Sequence, residues 1–78
     1  MPKITRKYAK KAGELIGIDF AEIDLSEFVV GLETELEHGS RDPETNITND
    51  DPVLTGRIAW AHLKENSRYY TILTTVGL

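Results

Sequence analysis

Apolar residues recur at helical intervals in successive stretches of the chain, and no stretch reads convincingly as a strand. Ile4, Tyr8, Ala12, Leu15 and Ile16 line one side of the first stretch, with the lysines opposite. This predicts a basic first helix over 5–16, with Thr5 as its cap and Gly17 as a left-handed C-terminal residue. Ile18 to Ile23 then reads as a short connector whose Phe20 and Ile23 plug the end of the core. Asp24 and Glu27 have capping-box spacing and open a second helix over 25–38. Leu25, Phe28, Val29, Leu32 and Leu36 form its expected buried face, and Gly39 its stop. Gly31 lies inside this helix, where it costs about 1 kcal/mol against alanine; a close helix crossing there would account for it.

Gly39 to Asp51 is polar and helix-poor, an unusually long loop for so short a chain, and so either functional or mobile. Pro52 suits the first turn of a third helix over 52–65, capped by Asp50 or Asp51. Leu54, Ile58, Ala61 and His62 share one side of it, with Val53 and Trp60 on another and Leu63 on a third. Apolar residues on most sides mark this helix as the central one. Ser67 can cap a final helix over 67–76, with Tyr69, Ile72, Leu73 and Val76 as its stripe and Gly77 as its end. The expected fold is all-α: one domain over 1–78, a compact bundle of four short helices with a long polar loop between the second and third.

Charge modifies this picture. Five of the nine basic residues, Lys3, Arg6, Lys7, Lys10 and Lys11, fall in the first eleven positions. Ala12 to Asp51 holds twelve acids and one base, a net of −11. The first helix is therefore expected to dock on the acidic middle and neutralise it. Alternatives are a basic surface that contacts nucleic acid, disfavoured by the net charge of −4 and the lack of interleaved aromatics, or an acidic face for a cationic partner. The absence of cysteine excludes disulfides, thiolate zinc sites and self-ligated iron–sulfur clusters. No apolar run approaches the roughly 20 residues of a membrane span, and the N-terminus lacks a signal-peptide core, so a cytoplasmic, intracellular location is expected.

Both histidines have a glutamate three residues away: Glu35 before His38, and Glu65 after His62. Residues three apart share a helix side, so Glu35, His38, His62 and Glu65 form a candidate site for a divalent metal, zinc or iron. That requires the two helices to run roughly parallel, with the long loop returning along one of them. Otherwise His38 answers the helix dipole and His62 is a hydrogen-bonded residue at the core edge. Glu35 and His62 lie nearer the apolar faces than Glu37 and His38. They are expected to be the more buried, and one or both to hydrogen-bond to other residues or to backbone around the Gly39–Asp51 loop. Tyr69 falls on the buried stripe, while Tyr70 lies off it and is expected to cover His62 or Trp60. With Glu37, these aromatics are candidate ligand or partner contacts.

Other chemistry falls away. Asp42, Glu44, Asn46, Thr48 and Asp50 alternate like calcium ligands, but Ile47 and Val53 occupy the positions where an EF-hand needs Gly and Glu. The Asn46-Ile47-Thr48 sequon has no secretion signal to make it relevant. No phosphate-binding glycine loop or activated nucleophile is legible.

The blocks Gly31-Leu32-Glu33-Thr34-Glu35-Leu36-Glu37-His38-Gly39, Thr45 to Asp51, Ala61-His62-Leu63-Lys64-Glu65 and Tyr69-Tyr70 carry a resemblance. Over roughly Phe20 to Leu73 the chain resembles an uncharacterised family of small microbial and phage-related proteins, a domain of unknown function. The resemblance lends no activity. It implies that Glu35, Glu37, His38, Gly39, His62, Glu65, Tyr69 and Tyr70 share one site. A non-enzymatic interaction or accessory module with a protein partner, as monomer or small homo-oligomer, is the leading expectation. The core is expected to be too small for a ligand pocket of ~300 Å³. A metal-binding protein and a nucleic-acid-associated protein are the alternatives.

Overall fold

The computed structural model describes residues 3–76, and every regular element among them is helical. Helix α1 covers Arg6–Ile16, α2 covers Leu25–Glu35, α3 covers Pro52–Glu65 and α4 covers Tyr69–Thr75. The all-α bundle expected from the periodicity is the fold observed. The stop expected at Gly77 lies outside the described residues.

The caps explain where the helices start and end. The Thr5 side chain accepts from the Tyr8 N–H, and Gly17 closes α1 at φ 90°, a conformation a side chain would strain. The Asp51 side chain accepts from the N–H groups of Val53 and Leu54, with Pro52 just inside α3. The second helix does not stay α-helical to residue 38: Leu36–His38 tightens into a 3₁₀ turn. Gly39 is not a left-handed stop; its φ is −99°. It is glycine because a Cβ there would collide with the Asp50 side chain. The last helix starts two residues later than expected, because Ser67 does not cap it. Instead, Asn66 forms the turn, its side chain accepting from the Arg68 N–H.

Phe28 and Leu32 of α2, Ala59 and Leu63 of α3, Ala9 and Ala12 of α1, Ile18 and Tyr70 make the core. Two stripes are rotated from their expected positions. Helix α1 buries Ala9, Ala12 and Gly13 and leaves Tyr8 and Leu15 outside. Gly13 approaches the Phe20 ring so closely that a Cβ would overlap it, so the small residues, not the large ones, face inward. Helix α3 buries Thr55, Gly56, Ala59 and Leu63, while Leu54 and Ala61 face solvent. Gly56 and Ala59 let α3 lie directly on Phe28, Leu32 and Gly31 of α2. Both α2 and α3 contact every other helix, so the centre is a pair rather than α3 alone.

The Gly39–Asp51 loop closes on itself. The Asp50 carboxylate accepts from the Ser40 N–H and from the Ser40 hydroxyl, and these bonds hold its pKa below the ordinary carboxylate value. The His38 carbonyl accepts from the N–H groups of Ile47 and Thr48, and Thr48 is fully buried. Asn49 and Asp50 take positive φ values of 49° and 63°, which these residue types tolerate. Because the loop's ends meet, α3 starts beside the end of α2. The loop does not return along a helix, yet Gly56 meets Phe28, Ala59 meets Gly31 and His62 lies by Glu35, so the C-terminal parts of α2 and α3 come together all the same. No helix among the described residues is long and apolar enough to cross a membrane.

Candidate functional site

The row Glu27–Gly31–Glu35 on α2 has i, i+4, i+8 spacing, and all three residues are buried. Tyr70 lies along this row. Its backbone N–H donates to the Glu27 carboxylate at 3.1 Å. Its ring lies against Gly31, and its hydroxyl donates to Glu35 Oε2 at 2.7 Å. At 1% exposure Tyr70 is the buried member of the tyrosine pair, and Tyr69 is only half-buried, the reverse of the expected order. The Glu27 bonds cause this reversal, since they set the rotation of α4.

Glu35, 6% exposed, is the hub of the site. His62 Nε2 lies 3.7 Å from its Oε2, and His38 Nε2 lies 3.9 Å from its Oε1. Both separations exceed hydrogen-bond length. His62 stacks on Tyr69, with ring centroids 4.3 Å apart and planes 8° from parallel, while Tyr70 meets both rings edge-on. Thr34, Glu37, Leu73 and Thr74 complete a cavity of about 450 Å³ at the surface between the helix ends. That volume exceeds the ~300 Å³ for which the core is too small, because the cavity lies beside the core and not inside it.

Glu35 and His62 are more buried than Glu37 and His38, as the helical wheel predicts. Of the two kinds of partner expected for Glu35, another residue or loop backbone, it has the first: Tyr70. The cluster gathers Glu35, Glu37, His38, His62, Tyr69 and Tyr70. Glu65 is exposed and does not line the cavity, so the four-residue metal set is not assembled. No group of three His, Asp or Glu side chains among the described residues is arranged to hold a metal ion. Trp60 also stands apart, with the Lys64 ammonium 4.2 Å from its ring centroid. Sequence reading missed Leu73 and Thr74, although their i+3 and i+4 spacing from Tyr70 carries the signal.

The basic residues Lys3, Arg6, Lys7, Lys10 and Lys11 are all exposed. Helix α1 does dock on α2 and α3, but not by charge neutralisation. Among the described residues the ion-pair distances within 4.0 Å are the two histidine contacts of Glu35. Arg6 donates instead to the Ser26 hydroxyl, and the Ile4 N–H donates to Glu33.

Burial, then the bond to Glu35 and that residue's charge, hold the Tyr70 phenol protonated far above its usual 10.0. Below pH 10 the phenol is protonated in both folded and unfolded chains. Above it only the unfolded chain releases the proton, so stability falls as pH rises. Tyr70→Phe is expected to cost about 1–2 kcal/mol at pH 7, since a buried acceptor loses its donor. It is also expected to flatten the alkaline loss of stability; urea melts from pH 7 to 11 measure both effects.

The family described as a protein of unknown function, DUF5661, matches residues 9–76. The chain belongs to DUF5661. The matched span contains the whole Glu35 cluster and starts at Ala9 within α1, beyond Lys3, Arg6 and Lys7. No curated protein and no solved structure matches this DUF5661 chain.

Proposed function

We propose that this chain is an intracellular, non-enzymatic binding module whose Glu35 cavity captures an alkylammonium group. The observation that carries this reading is a buried carboxylate with Tyr70 as its one hydrogen-bond donor among the described residues, facing a cavity of about 450 Å³. A buried carboxylate gains most from a cationic donor, because charge-assisted bonds are roughly twice as strong as neutral ones. Glu37 adds a second negative charge at the rim, and no lysine or arginine lines the cavity. The stacked Tyr69–His62 pair offers a π face to a cation, and Leu73 an apolar surface to its alkyl stem. Tyr70, kept protonated, serves as a fixed donor that orients Glu35 and not as a base.

Titration with n-butylammonium, followed by amide chemical shifts, tests the reading, with n-butanol as the neutral control. The expected result is a response at Glu35, His62 and Tyr69 to the amine alone, weakened about tenfold or more by Glu35→Gln, a loss of about 1.4 kcal/mol. A lysine-containing peptide in parallel separates a free amine from a partner's side chain as the natural source. Equal responses to amine and alcohol would overturn the reading. So would tighter binding of Zn²⁺ that both Glu35→Gln and His62→Ala abolish, which would establish the metal-binding alternative.

A further inference from the structure

The rotation of α1 leaves an apolar face without a partner. Tyr8 and Leu15 are 47% and 68% exposed. With Ala12 and Pro52 they floor a trough of about 370 Å³, edged by Lys7 and Lys11. Past Tyr8 a second cavity, of about 470 Å³, continues beside Leu36 and Arg41. Tyr8, Ala12 and Leu15 have i, i+4, i+7 spacing, the seam along which one helix seats against another. Lys7, Lys11 and Arg41 have no carboxylate within 4.0 Å among the described residues. The lining acid, Asp50, is engaged by Ser40. The trough shares no residue with the Glu35 cavity.

We infer that this trough docks an acidic amphipathic helix of a partner protein. The apolar floor takes side chains spaced by three and four residues, and the cationic rim selects glutamate or aspartate flanking them. Tyr8 to Leu15 spans about 10 Å of helix, so the contact covers two turns of the partner. The lining argues against the other occupants. In a two-fold contact the Lys7 and Lys11 rims of two copies would lie together and repel. A phosphate backbone could use the cationic rim, but the apolar floor of Tyr8, Ala12, Leu15 and Pro52 offers it no contact.

Fluorescence anisotropy of the full chain with a labelled 14-residue helical peptide tests the inference. The peptide carries leucines at i, i+4, i+7 and i+11 and glutamates on both flanks. Binding is expected to weaken with added salt and to drop about tenfold or more in Leu15→Asp and in the Lys7→Glu/Lys11→Glu double variant. All three positions are exposed, so unchanged thermal melts are expected to confirm intact folds. Equal binding of a peptide with lysines in place of the glutamates would overturn the inference. So would unchanged affinity in both variants, or tighter binding of a labelled 20-base-pair duplex. Concentration-dependent dimerisation that Leu15→Asp abolishes would replace the partner helix by a second copy.

Discussion

Glu27→Ala is expected to unfold α4 from the bundle and to cost about 3 kcal/mol of stability. The Glu27 carboxylate, itself buried, accepts from the backbone N–H groups of Tyr70 and Thr71 and from the Thr71 hydroxyl. It thus caps a helix distant in sequence, one whose own N-cap position, Arg68, provides no side-chain bond. Hydrogen bonds to charged groups contribute about 1.5–3 kcal/mol each, and an orphaned buried N–H costs about 1–3 kcal/mol. The sum is not additive, and about 3 kcal/mol is the expected net. At roughly 0.05–0.15 kcal/mol per residue, a chain of this length has about 4–12 kcal/mol in all. The change therefore removes a large share, and at 4–8 °C per kcal/mol the Tm is expected to fall on the order of 15 °C. Glu27→Gln keeps an acceptor and is expected to lose less than half as much. Thermal denaturation of both variants, with Tyr70 amide exchange as the local probe, checks the ordering. Equal losses would mean that the negative charge of Glu27, and not its bulk or a neutral acceptor, is what holds α4.

The helices were legible in sequence because their boundaries are local. Thr5, Gly17, Asp51 and Pro52 each act on the backbone within a few residues. Glu27 was legible only halfway. Its spacing from Asp24 suggests a capping box, yet its carboxylate bonds 43 and 44 residues ahead, which no local pattern encodes. The inward faces of α1 and α3 were misread for a related reason. Hydrophobicity ranks Tyr8, Leu15 and Leu54 as core, whereas close contact between helices selects residues by smallness. Ala9, Gly13, Gly56 and Ala59 win the interior because backbones meet there, and the larger side chains are displaced outward.

The cavity residues divide in the same way. Glu35, His38 and His62 stood out by spacing, and the structure places both imidazoles beside one carboxylate. Glu65 carried the same signal on α3 and is outside the cavity, since i+3 pairing guarantees a shared side of one helix but not which side faces a neighbour. The role of Tyr70 was hidden because α4 is only seven residues long. A stripe that short leaves its rotation to be set by what it touches, here Glu27 and Glu35.

Gly31→Ala is expected to destabilise the chain by about 2 kcal/mol, against the direction helix propensity dictates. In an open helix interior, replacing glycine with alanine gains about 1 kcal/mol. At Gly31, however, a Cβ would stand 2.6 Å from the Tyr70 ring and 3.0 Å from the Ala59 Cβ. The Ala59 Cβ is fixed to the α3 backbone, so relief requires α3 to move away from α2 or the Tyr70 ring to leave its seat. Overpacking of this kind typically costs about 1–3 kcal/mol, and at a contact between two helices the upper end applies. The propensity gain offsets about a third of it. Because the same ring carries the hydroxyl that holds Glu35, Gly31→Ala is also expected to weaken amine capture, although residue 31 does not line the cavity. Urea denaturation gives the stability change, and the n-butylammonium titration gives the coupling. A variant more stable than the wild type, with unchanged amine affinity, would show that α3 and Tyr70 can withdraw from Gly31 at no cost and that the Tyr70 seat is not what positions Glu35.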